Sequence, residues 1–224
     1  MTGQVDEKAE TMKDTKTKIL DTAEKLFAEK GFHNTSMRDL TSRAAVNLSS
    51  VNYHFGSKEN LFRELLKRRM APINKTRMES LEQIKDAAEK SGSLPQLRDI
   101  LKAFFDPALE LMEKNESSRP FVAILGSALH HPDVKIKKIF IHIMRPVAIP
   151  YFDCICRALP ELDKEIVLTR VQLALGVFYH GVSMLYYPDG QPDGILSSVR
   201  DIMPGPRKYN QEIIDFMVKG IKGK

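Results

Sequence analysis

The chain has 224 residues, of which 42% are hydrophobic and 28% charged, a composition that excludes collagen-like, coiled-coil and globally disordered classes. Two cysteines, Cys154 and Cys156, cannot build a disulfide framework, and on a helix their side chains point about 200° apart. The net charge of +5 is concentrated between Gly31 and Arg77, where nine Lys/Arg stand against three Asp/Glu, and such local basicity points to a polyanionic partner.

Residues 1–14 alternate acids and lysines with no apolar core. They are read as a flexible tail, neither a signal nor a transit segment, and the cytoplasm is the expected compartment. Ile19, Ala23, Leu26 and Phe27 recur at helical spacing, predicting a first helix over 16–30 with Thr15 as N-cap and Gly31 closing its C-terminus. Ser36 with Asp39 has capping-box spacing and starts a short second helix that turns Met37, Leu40 and Ala44 inward and ends near Ala44 or Ala45. Asn47 caps a third helix over 48–54. Two short helices with so few residues between them make a helix-turn-helix.

Ser57 caps a fourth helix with Leu61, Phe62, Leu65 and Leu66 on one side, which Pro72 must kink or interrupt, although helical spacing resumes through Met78, Leu81 and Ile84. A first domain is therefore placed at 15–75 and a second, helical domain at 76–224. Ser91-Gly92-Ser93 reads as a linker, and Ser93 with Gln96 forms a capping box ahead of a helix over 94–114 that Pro107 kinks. Further helices are predicted over 120–130, 134–158, 163–187 and 208–222. Val134 to Ile143 alternates partly like a strand, but Ile136, Ile139, Phe140, Ile143 and Val147 share one helical face and no partner strand is in sight, so helix is favoured. The apolar run Val171 to Tyr187 contains Gln172, His180 and Ser183 and falls short of a bilayer span, so no membrane association is expected. The predicted fold class is all-α.

The informative stretch is 36–55. A second short helix at this spacing presents its N-terminal residues to a DNA major groove while the first braces it. Asn47, Leu48, Ser49, Ser50 and Asn52 are short or apolar enough to approach base edges. Tyr53, His54, Ser36, Arg38 and Lys58 suit phosphate contacts that fix the register. The basic cluster Arg63, Lys67, Arg68 and Arg69 reads as a solvated face. His130, His131, His142, His180 and the cysteines lack paired metal-ligand spacing. No Walker loop, nucleophile elbow, zincin or dinucleotide signature occurs, so no catalytic residue, metal or cofactor is predicted.

Ile19-Leu-Asp-Thr-Ala-Glu-Lys-Leu-Phe-Ala-Glu-Lys-Gly-Phe32, Thr35-Ser36-Met37-Arg38 and above all Val51-Asn-Tyr-His-Phe-Gly-Ser-Lys-Glu-Asn-Leu-Phe62 resemble the tetracycline-repressor (TetR) family of bacterial regulators. The resemblance implies an N-terminal three-helix module on double-stranded operator DNA, a C-terminal helical domain that binds a small effector, and a homodimer formed by the last two long helices. It also implies that Lys58 is a phosphate lysine. Two positions depart from the family pattern: Ala45 stands where glycine is usual, and must tolerate a left-handed conformation or re-form the turn, and Thr41 stands where alanine is usual. Scattered features, among them Arg145-Pro146-Val147 and Ala158-Leu-Pro-Glu161, resemble the subgroup that includes regulators of fatty-acid metabolism and imply a small hydrophobic or acyl-like effector.

Phe104, Phe105, Met112, Phe121, Leu125 and Phe178 are candidate pocket residues, with Arg119, Arg145 and His180 as anchors for an anionic head group. Ala174, Gly176 and Gly181 allow close approach of a partner helix. The expected function is a homodimeric repressor released from its operator by the effector. The alternatives are an effector-independent DNA-binding protein on the same fold and, against the motif, an all-α enzyme.

Overall fold

The computed structural model describes residues 3–114, 121, 124–125, 133–186 and 206–223, with side chains for 12–111, 121, 124–125, 133–178 and 208–223. Secondary structure among the described residues is entirely helical, as the periodicity predicts. The helices are α1 Gly3–Asn34, α2 Met37–Ala44, α3 Leu48–Phe55, α4 Lys58–Ser91, α5 Leu97–Lys114, α6 Val134–Ala158, α7 Lys164–Tyr186 and α8 Pro206–Lys222. The chain divides into two compact units, Met1–Met70 with Ala123–Ile143, and Ala71–Val122 with Met144–Lys224. The boundary expected at residue 75 thus lies nearer 70, and 123–143, expected in the second domain, belongs with the first unit. One physical tie behind this is His33, whose Nε2 lies 3.6 Å from the Asp133 carboxylate.

In the first unit, α1 begins at Gly3, so part of the expected tail is helical. Glu7, Lys8, Ala9, Glu10, Met12 and Lys13 favour helix without an apolar stripe, which is why hydrophobic periodicity missed the start. Gly31 breaks the helix with φ 78° and ψ 164°, at the position where a closing glycine is predicted. The Phe27, Phe32 and Phe62 rings then meet pairwise, with centroids 5.2 to 5.6 Å apart. Ile19, Leu26, Leu40, Val51, Leu61, Leu65 and Leu66 complete the buried set.

Pro72 does not end α4. Its missing amide and ring clash cost about 3 kcal/mol, but Met70, Ile73 and Leu81 are all buried, and each fully buried apolar side chain contributes about 1.5–3 kcal/mol. In the second unit, α5 starts at Leu97, later than expected. The Gln96 carbonyl accepts the Asp99 and Ile100 amides, whereas the Ser93 hydroxyl pairs with that of Ser91 at 2.8 Å. Helix α8 packs on α7 and α5. Arg98 pairs with Asp215, and Arg170 donates to the Ile221 carbonyl at 2.8 Å, satisfying an end carbonyl of α8.

Helix α6 resolves the strand ambiguity. Ile136, Ile139, Phe140, Met144, Val147 and Tyr151 are buried at helical spacing while Ile141 is exposed. By length and composition α6 is apolar enough to cross a bilayer, with a mean hydropathy of 1.4, but its burial on one face is the pattern of a core helix. Arg77 is the polar feature that sequence reasoning missed. It is 4% exposed, on the stripe Ile73, Arg77, Leu81 of α4. Its Nε donates to the Phe104 carbonyl at 2.7 Å and its guanidinium lies 4.3 Å from the Phe104 ring centre. The Tyr151 hydroxyl donates to the Arg77 carbonyl at 2.6 Å. A charged residue on an apolar stripe was the available signal. Tyr151→Phe removes that buried hydrogen bond and is expected to lower stability by about 1 kcal/mol, measured by urea unfolding with the slope against urea unchanged.

Candidate nucleic-acid interface

Helices α2 and α3 are set by local caps. The Ser36 hydroxyl accepts the Asp39 amide at 3.0 Å and the Asp39 carboxylate accepts the Ser36 amide at 2.9 Å, which is the predicted capping box. Asn47 Oδ1 accepts the Ser50 amide at 2.7 Å, the predicted cap of α3. Between them Ala45 adopts φ 49° and ψ 51°, so the alanine tolerates the left-handed turn. This conformation costs roughly 1–2 kcal/mol for a residue with a Cβ.

With Val51 and Phe55 turned into the core, α3 presents Leu48, Ser49, Asn52 and Tyr53 on the opposite face. Leu48 is 51% exposed and Tyr53 73%, large apolar surfaces that nothing in the unit covers. The Ser49 and Asn52 side chains make no hydrogen bond among the described residues, which leaves their donors and acceptors for a ligand. Ser50 is half-buried and its hydroxyl donates to Asn47 Oδ1 at 2.9 Å. His54, also half-buried, stacks edge-on to Tyr53. Ser36 and Arg38 are exposed at the start of α2, the serine hydroxyl also donating to Asp39 at 2.6 Å.

Many of the basic side chains are engaged internally. Arg43 pairs in a two-point fork with Glu29 at 2.5 and 2.9 Å, and Lys30 reaches Asp39 at 3.2 Å, both joining α1 to α2. Glu24, 6% exposed on the apolar side of α1, receives Arg69 at 2.9 Å and Arg68 at 3.4 Å, while Arg68 also meets Asp21 at 2.7 Å. Arg68 and Arg69 therefore hold α4 to α1 and are not the solvated face expected. Lys58 is engaged internally as well. Its ammonium is turned inward, donating to the carbonyls of Phe32 (2.9 Å), His33 (3.4 Å) and Thr35 (2.9 Å), 4.4 Å from the Phe32 ring centre. Burial pushes its pKa below the usual lysine value.

The expected effector residues are gathered only in part. In the second unit Phe104 and Phe105 have ring centroids 5.0 Å apart, and Phe105 meets Phe178 at 3.9 Å. Phe121 is buried in that unit, whereas Leu125, also buried, belongs to the first. Arg145 is exposed, because Met144 and Val147 take the inner face of α6, so it is not an anchor aimed into the core. The side chains of Met112, Arg119 and His180 lie outside the described residues. A cavity of about 550 Å³ runs between α4 and α5, lined by Thr76, Ser80, Gln83, Asp99, Lys102 and Asp106 among others, and none of the predicted residues lines it.

The pattern of bacterial regulatory proteins of the tetR family matches residues 19–65, and that of the tetracyclin repressor-like C-terminal domain matches 102–220. A probable HTH-type transcriptional regulator of Bacillus subtilis, YttP, is 32% identical over 87 residues, which are 39% of this chain and 42% of that protein. The chain thus spans less than half the length of this curated relative. Among solved structures, the regulator FadR from Bacillus subtilis in complex with stearoyl-CoA superposes with a TM-score of 0.65 at 13% identity, covering 91% of this chain and 98% of that one. The SmeT–triclosan complex superposes with 0.61 at 17%, covering 92% and 90%. At these identities the likeness is one of fold.

Two outcomes follow for the first unit. Ala45→Gly relieves the left-handed strain, partly offset by the extra freedom of glycine in the unfolded chain, and is expected to raise stability by about 0.5–1 kcal/mol in urea unfolding. The Asp39 carboxyl is held down to about 2 by the Ser36 hydroxyl and amide and by Lys30, and Glu29 is lowered by its hydrogen bond from Arg43. Their contributions are present above the ordinary carboxylate range and are lost as pH falls from about 4 towards 2. Glu24, raised by burial, has the opposite sign. Unfolding midpoints are therefore expected to drop between pH 5 and 2.5, with a smaller drop in Asp39→Asn, which is already weakened at pH 5.

Proposed function

This chain belongs to the TetR family of bacterial regulatory proteins, and from that premise we propose that it is a homodimeric transcriptional repressor which a small hydrophobic or acyl-like effector releases from operator DNA. It acts as a regulator and not as an enzyme, in the cytoplasm where its DNA lies. The observation that carries the reading is the outer face of α3, on which Leu48, Ser49, Asn52 and Tyr53 stand exposed while Val51 and Phe55 anchor the helix. Asn52 suits adenine or another amide-matching edge in the major groove, Leu48 a thymine methyl, and Tyr53 with Arg38 and Ser36 the flanking phosphates.

Dimer formation is supported by α7 and α8. Ile166, Leu173, Val177 and Phe216 are exposed apolar residues on these helices, with Leu173 68% and Phe216 62% exposed. A Cβ added at Gly176 or Gly220 would meet nothing within 4 Å, so a second helix has room to approach there. Ala174 is buried within the chain and Gly181 lies outside the described side chains. A two-fold pair of reading heads about 34–36 Å apart grips successive major grooves, and a ligand that alters this spacing weakens binding. FadR and SmeT were solved with stearoyl-CoA and triclosan, which supports an apolar effector. The effector-independent reading is favoured by one observation, the aromatic cluster Phe104, Phe105 and Phe178, whose rings pack directly against one another.

Operator duplexes selected from a random library provide the test. Asn52→Ala is expected to relax preference at one base step by about 1–3 kcal/mol, and Phe216→Glu or Leu173→Glu to shift the sedimenting species from dimer to monomer. Stearoyl-CoA, long-chain fatty acids and triclosan are then titrated against the operator complex. Release by one of them supports the sensor, and operator binding that ignores all of them favours the effector-free regulator. Failure to select any duplex overturns the DNA-binding reading.

A further inference from the structure

Lys58 is the first residue of α4, and the turn it grips leads directly into Ser36, the cap of α2. Its ammonium offers three donors, and the three carbonyls it meets, those of Phe32, His33 and Thr35, all lie in the turn that follows the break of α1 at Gly31. Carbonyls at a helix C-terminus, as those of Phe32 and His33 are, carry partial negative charge, and the Phe32 carbonyl also accepts the Thr35 amide at 3.4 Å. The Phe32 ring adds a cation–π contact at 4.4 Å. Thr35 is fully buried, and its hydroxyl donates to the Leu26 and Gly31 carbonyls at 3.2 and 2.9 Å, so the turn is fixed to α1.

Thr35 immediately precedes Ser36, the cap of α2, and Lys58 follows Gly56 and Ser57 at the end of α3. The Lys58 to Thr35 hydrogen bond spans 23 positions and closes the chain into a loop that contains α2, the Ala45 turn and α3. We infer that Lys58 is the clasp of the DNA-reading pair: a positioning residue that joins both ends of the helix-turn-helix to α1, with its ammonium engaged by the protein in place of a DNA phosphate. The inference rests on the proposed DNA-binding function. It separates the lysine from the side chains that touch DNA, since an ammonium with three carbonyl acceptors reaches a phosphate only by giving up bonds that hold the reading pair in place.

The wild-type protein tests this before any DNA is added. In nitrogen-selective NMR, a clasped ammonium gives a Lys58 Nζ signal protected from solvent exchange, assigned by its loss in Lys58→Arg, and it keeps its shift when a selected duplex is added. A signal that is absent from the free protein and appears only with DNA overturns the clasp in favour of a phosphate contact. Lys58→Met is then compared with wild type on selected and scrambled duplexes across a salt series. The clasp predicts that the ratio of selected to scrambled affinity falls about tenfold with the salt slope unchanged, whereas a phosphate contact lowers the slope by about one and leaves the ratio intact. Should Lys58→Met not fold, Lys58→Arg decides. Arginine serves a phosphate as well as lysine does but does not fit the ammonium's three-carbonyl seat, so a wild-type ratio in Lys58→Arg overturns the clasp and a lowered one supports it. If wild type selects no duplex, the DNA-binding reading fails while the signal in the free protein still reports on Lys58.

Discussion

Two helices of eight residues cannot hold themselves together. Each is shorter than the roughly 12–15 residues an isolated helix needs to be even marginal in water, and between them α2 and α3 bury Leu40, Ala44, Val51 and Phe55. Their position is therefore imposed by what they pack on, chiefly α1, whose Phe27 and Phe32 meet Phe62 of α4 in a triangle of rings. That dependence leaves the outer face of α3 free of packing duties. Leu48 and Tyr53 stay exposed because the buried residues of α3 recur on one side, and a helix so short has no second apolar face to commit.

The electrostatics of the first unit are more economical than its formal charge suggests. The basic surplus between Gly31 and Arg77 reads as a DNA-facing patch, yet Arg43, Arg68 and Arg69 bind acids on α1, and Lys58 binds carbonyls at its end. These ties differ in weight. The Arg43 to Glu29 fork is largely exposed and contributes modestly, whereas Glu24 is buried, so removing its arginines leaves a desolvated carboxylate unpaired. A net count of charges therefore identifies the class of partner better than it identifies the contacts.

What was legible in the sequence was local. Both short-helix caps, the Gly31 break and the single-faced burial of α6 are determined by residues within four positions of one another, and each is found where the spacing places it. The conformation of Ala45 was left open between a left-handed residue and a re-formed turn, and is the former. The start of α1 was not legible, because a helix of charged residues carries no apolar period. The course of α4 was legible in part: helical spacing resumes past Pro72 through Met78, Leu81 and Ile84, but the sequence left open whether the proline interrupts the helix, which burial on either side prevents. The site was legible as a surface but not as a network. Exposure of Leu48, Asn52 and Tyr53 follows from helical phase, while the partners of Lys58 lie 23 to 26 positions away and carry no periodic signal. Arg145 failed as an inward anchor for the same local reason that Met144 succeeds in the core: one position turns a side chain by about 100°.

The central claim is that the exposed face of α3 reads DNA through the major groove. Methylation interference on a selected duplex tests it most directly, because guanine N7 lies in the major groove and adenine N3 in the minor. The account predicts that guanine N7 methylation blocks binding in two patches about one helical turn apart or a multiple of it. Interference confined to adenine N3, or binding indifferent to N7 methylation throughout, would contradict it.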